Sequence, residues 1–200
     1  MIEDVVTAIR DGDPVVLPTD TVYGLCADAF REEPVRRLYR LKGRGELQPT
    51  ALLASDVDVL LDAVPELRAR SGEIARALLP GPYTLIFSNP ARRFPWLTGN
   101  RPETLGVRVP SLSGDPAAVL ERVRAVAATS ANRPGEPDPS AVDDIPEELR
   151  AACAAILDVG PLPGTPSTVL DLTGLEPRVL REGAVPAAEA LARVADARSE

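Results

Sequence analysis

The apolar segments of this chain are short, and proline, glycine or polar residues stop each of them. Val15-Val16-Leu17 ends at Pro18, a second run begins just past Pro80-Gly81-Pro82, and a third ends at Pro110. Runs of this length suit buried strands, and none approaches the ~18 apolar residues of a membrane span. Between them lie helical stripes. Ile2, Val5, Val6 and Ile9 fall at i, i+3, i+4 and i+7, one face of an opening helix.

The same logic places the other elements. Pro34, Val35, Leu38, Tyr39 and Leu41 form a second helix that ends at Gly43 and Gly45. Residues 51–54 read as a strand. Ser55 or Asp56 caps the next helix, whose stripe continues through Ile74, Ala75, Leu78 and Leu79 to the stop at Pro80. Strands follow over 83–87 and 105–109, with a Pro- and Arg-rich loop between them. Asp115 and Pro116 start another helix. Residues 125–128 form a small-residue strand, 133–140 a loop, and 154–159, 168–172 and 178–180 the last strands. A helix over about 187–197 completes the chain. The segment from Thr19 to Gly24 reads as a loop at a strand end, where ligands commonly bind. With no repeat or linker, the expectation is one mixed α/β domain over residues 1–200.

What is scarce narrows the chemistry. The 200 residues contain no histidine, which excludes Ser-His-Asp triads, imidazole bases and His-ligated zinc. Cys26 and Cys153 are too far apart for a CxxC site, so a reducing, cytoplasmic setting is expected. The acidic amino terminus carries no targeting run. Twenty-two cationic residues against thirty acidic ones give a net charge of -8, which argues against nucleic-acid binding through bulk electrostatics. All the cationic residues but Lys42 are arginine.

Four polar groups follow or end the expected strands: Thr19-Asp20-Thr21, Thr104 with Arg108, Thr129-Ser130-Ala131-Asn132, and Ser167-Thr168 with Arg181. Lys42-Gly43-Arg44 closes a helix. Hydroxyls, an amide, guanidiniums and one ammonium make a good phosphate or carboxylate site and a poor nucleophile or base. Phosphoryl or nucleotidyl transfer fits, since positioning and charge neutralisation supply most of its catalysis. No P-loop signature is present. Each group also has a plainer role. Lys42 and Arg44 serve as helix-end cations worth ~0.3–1 kcal/mol, Arg108 as an edge charge, and Ser130 and Asn132 as turn formers. Tyr23, Phe87 and Trp96 serve as core or rim aromatics.

Taken in order, Pro18-Thr19-Asp20-Thr21-Val22-Tyr23-Gly24-Leu25, Lys42-Gly43-Arg44, Pro80-Gly81-Pro82-Tyr83-Thr84, Val107-Arg108-Val109-Pro110, Ser130-Ala131-Asn132, Ser167-Thr168-Val169-Leu170-Asp171 and Leu180-Arg181-Glu182-Gly183-Ala184 resemble the YrdC/TsaC family of threonylcarbamoyl-adenylate synthases in its short, single-domain form. The match runs over about 2–184. The resemblance implies a twisted, mixed parallel and antiparallel sheet flanked by helices, with a concave, positively charged cleft. It implies a nucleotidyltransferase that makes threonylcarbamoyl-AMP and pyrophosphate from L-threonine, bicarbonate or CO2, and ATP. The product feeds a downstream threonylcarbamoyl transferase machinery that modifies tRNA next to the anticodon. Mg2+ accompanies the ATP, with no protein side chain assigned to it, and neither membrane association nor strong direct tRNA binding is expected.

Carried over by position, the resemblance puts Thr21, Arg108 and Ser167 on threonine, and Arg44, Gln48, Thr104, Ser130 and Arg181 on the nucleotide. Lys42, Arg44, Ser130 and Asn132 surround the reacting carbamate and phosphates. The chain departs from the family pattern at Gly45, Gln48, Leu53 and Asp138, where relatives carry, respectively, proline, a polar or basic residue, in some members histidine, and serine. Two other readings stand beside this one: a paralogue of the same fold with a different amino-acid or carbamoyl substrate, and an RNA-binding module.

Overall fold

The computed structural model describes residues 1–43, 45 and 47–199, and Arg44 lies outside the described residues. Its centre is a nine-stranded mixed sheet. The strands are β1 (Val15–Pro18), β2 (Tyr23–Asp28), β3 (Ala51–Ala54), β4 (Tyr83–Ser88), β5 (Thr104–Arg108), β6 (Ala125–Ser130), β7 (Ala155–Ile156), β8 (Thr168–Asp171) and β9 (Arg178–Arg181). They are ordered β7-β1-β2-β6-β3-β5-β4-β8-β9. The pairs β1/β7, β3/β5 and β4/β8 are parallel and the rest antiparallel. The helices are α1 (Ile2–Asp11), α2 (Glu32–Lys42), α3 (Val57–Ala63), α4 (Arg70–Leu78), α5 (Gly114–Val123), α6 (Glu147–Ala152) and α7 (Ala187–Ala197). Among the described residues no helix is long and apolar enough to cross a membrane.

Alternation along the strands decides where the helices go. Leu52, Leu85, Phe87, Leu105, Val107, Ala127 and Leu170 point to one face. There they share a core with Leu60, Leu61, Ile74, Leu78, Ala190 and Val194 of α3, α4 and α7. Tyr23, Leu25 and Ala27 on β2 extend that face to Leu38 of α2 and Leu149 of α6. On the opposite face, Cys26, Leu53 and Val126 are covered by Val5, Ile9, Val119 and Leu120 of α1 and α5. The rest of that face carries Gly24, Ala51, Thr84, Thr104, Gly106, Ala128 and Ser130, and these line an open cleft instead of meeting a helix.

Several expectations need correction. The segment from Thr19 to Gly24 is not all loop: β2 begins at Tyr23 and pairs with β1 as a hairpin, with Pro18 opposite Tyr23. Tyr-Gly-Leu-Cys-Ala is buried on both faces, so it carries no alternating polarity to read. The single helical stripe to Pro80 is divided, with α3 and α4 separated by a 3-10 turn over Pro65–Arg68, because Pro65 lacks the N–H that a continuing helix needs. Asp56 is the α3 cap, its side chain accepting from the Val59 N–H at 2.7 Å. The α5 cap position falls on Ser113, ahead of Asp115 and Pro116, with no side-chain cap bond. Of the strand over 154–159 only Ala155–Ile156 pairs, and α6 was not anticipated. Arg108 is not an edge charge, since β5 lies between β3 and β4.

One turn braces the cleft rim from outside. Gly99 adopts φ +58, and a Cβ there would lie 2.4 Å from the Leu47 carbonyl oxygen and 2.9 Å from the Pro49 nitrogen. The Asn100 N–H donates to the Leu47 carbonyl at 3.0 Å, and the Thr50 N–H to that of Leu97 at 2.9 Å. Gly99→Ala should therefore cost about 2 kcal/mol or more and should disturb the segment that carries Gln48. Gly43 has φ +64 with nothing within 4 Å of the added methyl. Gly43→Ala should cost only about 1 kcal/mol of left-handed strain. Urea denaturation of both variants checks the contrast.

Candidate functional site

The cleft has a volume of about 570 Å³, within the usual range of small-molecule sites. Residues two apart form its floor: Thr104, Gly106 and Arg108 on β5, Ala51 and Leu53 on β3, Thr84 and Ile86 on β4, and Ala128 and Ser130 on β6. The expectation that the polar groups sit at strand carboxyl ends is thus replaced. Thr104 begins β5 and Arg108 ends it, and the mixed strand directions leave a shared face, not a shared end, as what unites the site. Lys42, Arg101, Arg108, Arg133 and Arg181 bring positive charge to the walls, against Glu136 and Asp138.

One end is built around Lys42, on the last turn of α2 and only 6% exposed. Gly43 in the left-handed conformation stops the helix there. Lys42 Nζ reaches the end of β6, donating to the Ser130 carbonyl, to Ser130 Oγ at 3.2 Å and to Asn132 Oδ1 at 2.9 Å. Ser130 Oγ also donates to Asn132 Oδ1 at 2.6 Å. Asn132 Nδ2 donates to the Glu136 carbonyl at 2.6 Å and to Asp138 Oδ1 at 3.2 Å, tying the 133–140 loop to this cluster. The amide thus orients both the ammonium and the Asp138 carboxylate. Lys42 is more than a helix-end cation, and Ser130 and Asn132 do more than form a turn.

The other end is built around Arg108, which is buried to 9% exposure and faces the cleft. Its Nη2 donates to Asp20 Oδ1 at 2.8 Å and to Thr21 Oγ1 at 3.2 Å, while its buried Nε–H has no partner among the described residues. Burial lowers the Arg108 pKa, the nearby Asp20 offsets this, and the positive charge of Arg181 adds to the lowering. Thr19 Oγ1 donates to the Val22 carbonyl at 2.7 Å, so in the 2.9 Å contact between the two threonines the Thr21 hydroxyl is the donor. Thr21 is fully buried behind Arg108, and Thr19 and Val22 line the cleft in its place. Ser167 Oγ lies 2.8 Å from Thr84 Oγ1. Arg181 donates to the Ser167 carbonyl at 2.9 Å, placing the two side by side. A bulge in the β8/β9 pairing sets Arg181 opposite Val169, on the cleft side.

Gln48 is exposed on the rim and Thr104 is on the floor, its hydroxyl donating to the Arg101 carbonyl at 3.1 Å. The structure therefore gathers every described residue that the resemblance assigned to a ligand into one cleft or, for Thr21, against its Arg108. Sequence reasoning marked Thr19 and Thr84 within its motifs without giving either a ligand role, and it missed Arg101 and Arg133 on the walls. Thr84 and Arg101 sit in segments already marked, a strand and an Arg-rich loop, but nothing in the spacing gave their direction. Cys26 is no nucleophile: burial pushes its thiol up to about 12, and that of Cys153 up to about 11.

Fold and site together define a mixed α/β protein with a cation-lined cleft on an open sheet face. The comparisons give the family: this chain belongs to the Sua5/YciO/YrdC family, described as telomere recombination, whose model matches residues 7–183. It is 37% identical over 183 residues to a Mycobacterium tuberculosis protein provisionally named threonylcarbamoyl-AMP synthase, covering 90% of this chain and 82% of that one. It is 33% identical to the threonylcarbamoyl-AMP synthase of Pyrococcus abyssi, covering 90% of this chain and 53% of the relative. The solved structure of Pyrococcus abyssi Sua5 complexed with L-threonine superposes with a TM-score of 0.86 at 32% identity, covering 96% of this chain and 56% of that one. The chain thus spans about half the length of the Pyrococcus proteins and most of the mycobacterial one.

The Lys42 cluster predicts its own energetics. Asn132→Leu leaves a buried ammonium short of an acceptor and should destabilise the protein by about 1–3 kcal/mol. Lys42→Met combined with Asn132→Leu removes both partners and should recover much of that loss. Urea unfolding of the two single variants and the double variant measures the coupling.

Proposed function

We propose that this protein is a threonylcarbamoyl-AMP synthase, a nucleotidyltransferase that joins L-threonine, CO2 or bicarbonate, and ATP. One observation carries the proposal. A single cleft holds an ammonium with hydroxyl and amide partners at one end, and at the other the buried Arg108 guanidinium together with the Ser167 hydroxyl, which accepts from Arg181 at 3.2 Å. The second end suits an amino-acid carboxylate and the first suits phosphates. The names of the relatives support the same activity, and the Pyrococcus abyssi Sua5 complex supports threonine as a ligand of this fold.

In this reading the neutral threonine amine adds to CO2, forming the N–C bond of a carbamate and releasing one proton to water. A carbamate oxygen then attacks the α-phosphorus, the new P–O bond forms, the bond to the β-phosphate oxygen breaks, and pyrophosphate leaves. No side-chain nucleophile or imidazole is needed, in keeping with a chain that has no histidine. Arg108 with Ser167 orients the amino acid. Lys42, Ser130 and Asn132 hold the phosphates and balance the charge that develops as the bond breaks. Thr104, Gln48 and Arg181 bind the rest of the nucleotide, as does Arg44 from outside the described residues. Mg2+ would enter with the ATP, held by phosphate oxygens and water. Among the described residues no three metal-ligating side chains converge, and Glu136 and Asp138 offer oxygen donors at the cleft wall.

Mass spectrometry of a reaction holding ATP, threonine and bicarbonate tests the proposal by the appearance of threonylcarbamoyl-AMP. Pyrophosphate release should require threonine and bicarbonate together and should not require tRNA. Turnover with serine but not threonine would sink the substrate assignment, and an obligatory tRNA would sink the reaction. Lys42→Arg should keep the fold and lose at least ~100-fold in kcat, the loss seen when one preorganised transition-state donor is removed. Near wild-type turnover would take Lys42 out of the catalytic set.

A further inference from the structure

We propose that Asp20 is a positioning residue for substrate recognition: it holds Arg108 from the side away from the cleft, so that the guanidinium presents its remaining N–H groups to the carboxylate of the amino acid. This rests on the assignment of the amino-acid end made above. The Asp20 carboxylate is only 10% exposed and makes two contacts, accepting from Arg108 Nη2 at 2.8 Å and from the backbone N–H of Ser111 at 3.0 Å. It thereby joins the turn after β1 to both the end of β5 and the segment that follows it. The placement separates a holder from a competitor. Arg108 lines the cleft, whereas Asp20 is not among the described residues that do. A carboxylate that competed with substrate would have to stand on the substrate's side of the guanidinium.

The hydrogen bonds point the same way. Asp20 and Thr21 are the acceptors of Nη2, and the Thr21 hydroxyl is itself fixed by Thr19. The Nε–H of the same buried side chain has no acceptor among the described residues. That Nε–H is out of reach of solvent, so the N–H groups left to meet an arriving carboxylate are those of Nη1, which has no acceptor among the described residues. Arg108 has a long, flexible stem, and no other carboxylate accepts a hydrogen bond from it among the described residues. Without Asp20 the guanidinium keeps the Thr21 contact but loses the charged anchor that sets its plane.

The test is Asp20→Asn in the full chain, a change that retains an oxygen for the Ser111 N–H and removes the charge. Pyrophosphate release should show the KM for threonine raised at least ten-fold, with kcat within about three-fold and the KM for ATP within about two-fold of wild type. A role confined to holding the fold would move all three together. Added to Arg108→Ala, Asp20→Asn should raise the threonine KM no further, because Asp20 acts through Arg108. An unchanged threonine KM, or full additivity with Arg108→Ala, would overturn the proposal. The rise in melting temperature on adding L-threonine reads binding without turnover; it should be lost in Asp20→Asn, while the rise caused by a non-hydrolysable ATP analogue should remain. A wild-type protein that threonine stabilises but does not turn over would overturn the assigned reaction and leave this proposal standing. One that threonine neither stabilises nor drives to turnover would overturn both.

Discussion

The structure depends on a difference between the two faces of its central strands. A sheet face rich in leucine, valine and phenylalanine must be covered, because each such side chain loses about 1.5–3 kcal/mol if left in water. Here Leu105 and Val107 of β5 and Leu85 and Phe87 of β4 oblige α3, α4 and α7 to lie on one side. On the other side the same strands carry Thr104, Gly106, Arg108, Thr84 and Ile86. That face offers little apolar area to a helix, so it stays open. Small residues at Gly24, Ala51, Gly106 and Ala128 supply the depth, and the neighbouring polar side chains supply the chemistry.

The two ends of this face fix their cations by different means. Arg108 is held by a buried carboxylate, a pairing that offsets part of the desolvation of the guanidinium. Lys42 is held by the carbonyl and hydroxyl of Ser130, the last residue of β6, and by the amide oxygen of Asn132 just beyond it. An ammonium has three donors on a flexible stem, so it can exchange one of these acceptors for a phosphate oxygen without a change of plane. The planar guanidinium has no such freedom, which is why its surroundings include a fixed partner. Replacing Arg by Lys or Lys by Arg across the two ends would exchange these properties.

How far this was legible in the sequence follows from the kind of signal each element carried. Amphipathic α1 and α2, the stop at Pro80-Gly81-Pro82 and the alternating β4 were readable, because period and punctuation survive in one dimension. The hairpin strand β2 was not, because Tyr-Gly-Leu-Cys-Ala is buried on both faces. The candidate site was legible as a set of residue types, through the resemblance and the single lysine, but not as a geometry. That Asp20 pairs with Arg108, 88 positions away, or that Asn132 ties Lys42 to the 133–140 loop, arises from the order of strands in the sheet. Sequence spacing holds no record of that order. The bulge that aims Arg181 at the cleft is likewise a property of pairing, invisible in Arg-Val-Leu-Arg alone.

Charge adds a limit on ligand size. The chain carries a net -8, yet Lys42, Arg101, Arg108, Arg133 and Arg181 face one cleft. At physiological ionic strength the screening length is about 8 Å, so a ligand wholly inside the cleft feels chiefly these cations and the acids close to them: Glu136 and Asp138 on the wall, and Asp20, Glu103 and Glu148 paired with Arg108, Arg101 and Arg133. A nucleotide or an amino acid is of that size. An extended polyanion is not: most of its phosphates would lie outside the cleft, over a surface whose balance is acidic. Binding such a partner through phosphate contacts needs many cations spread along its path, and many of the arginines outside the cleft are instead paired with acidic side chains. It is thus the distribution of charge, more than its sum, that suits this cleft to a small anion.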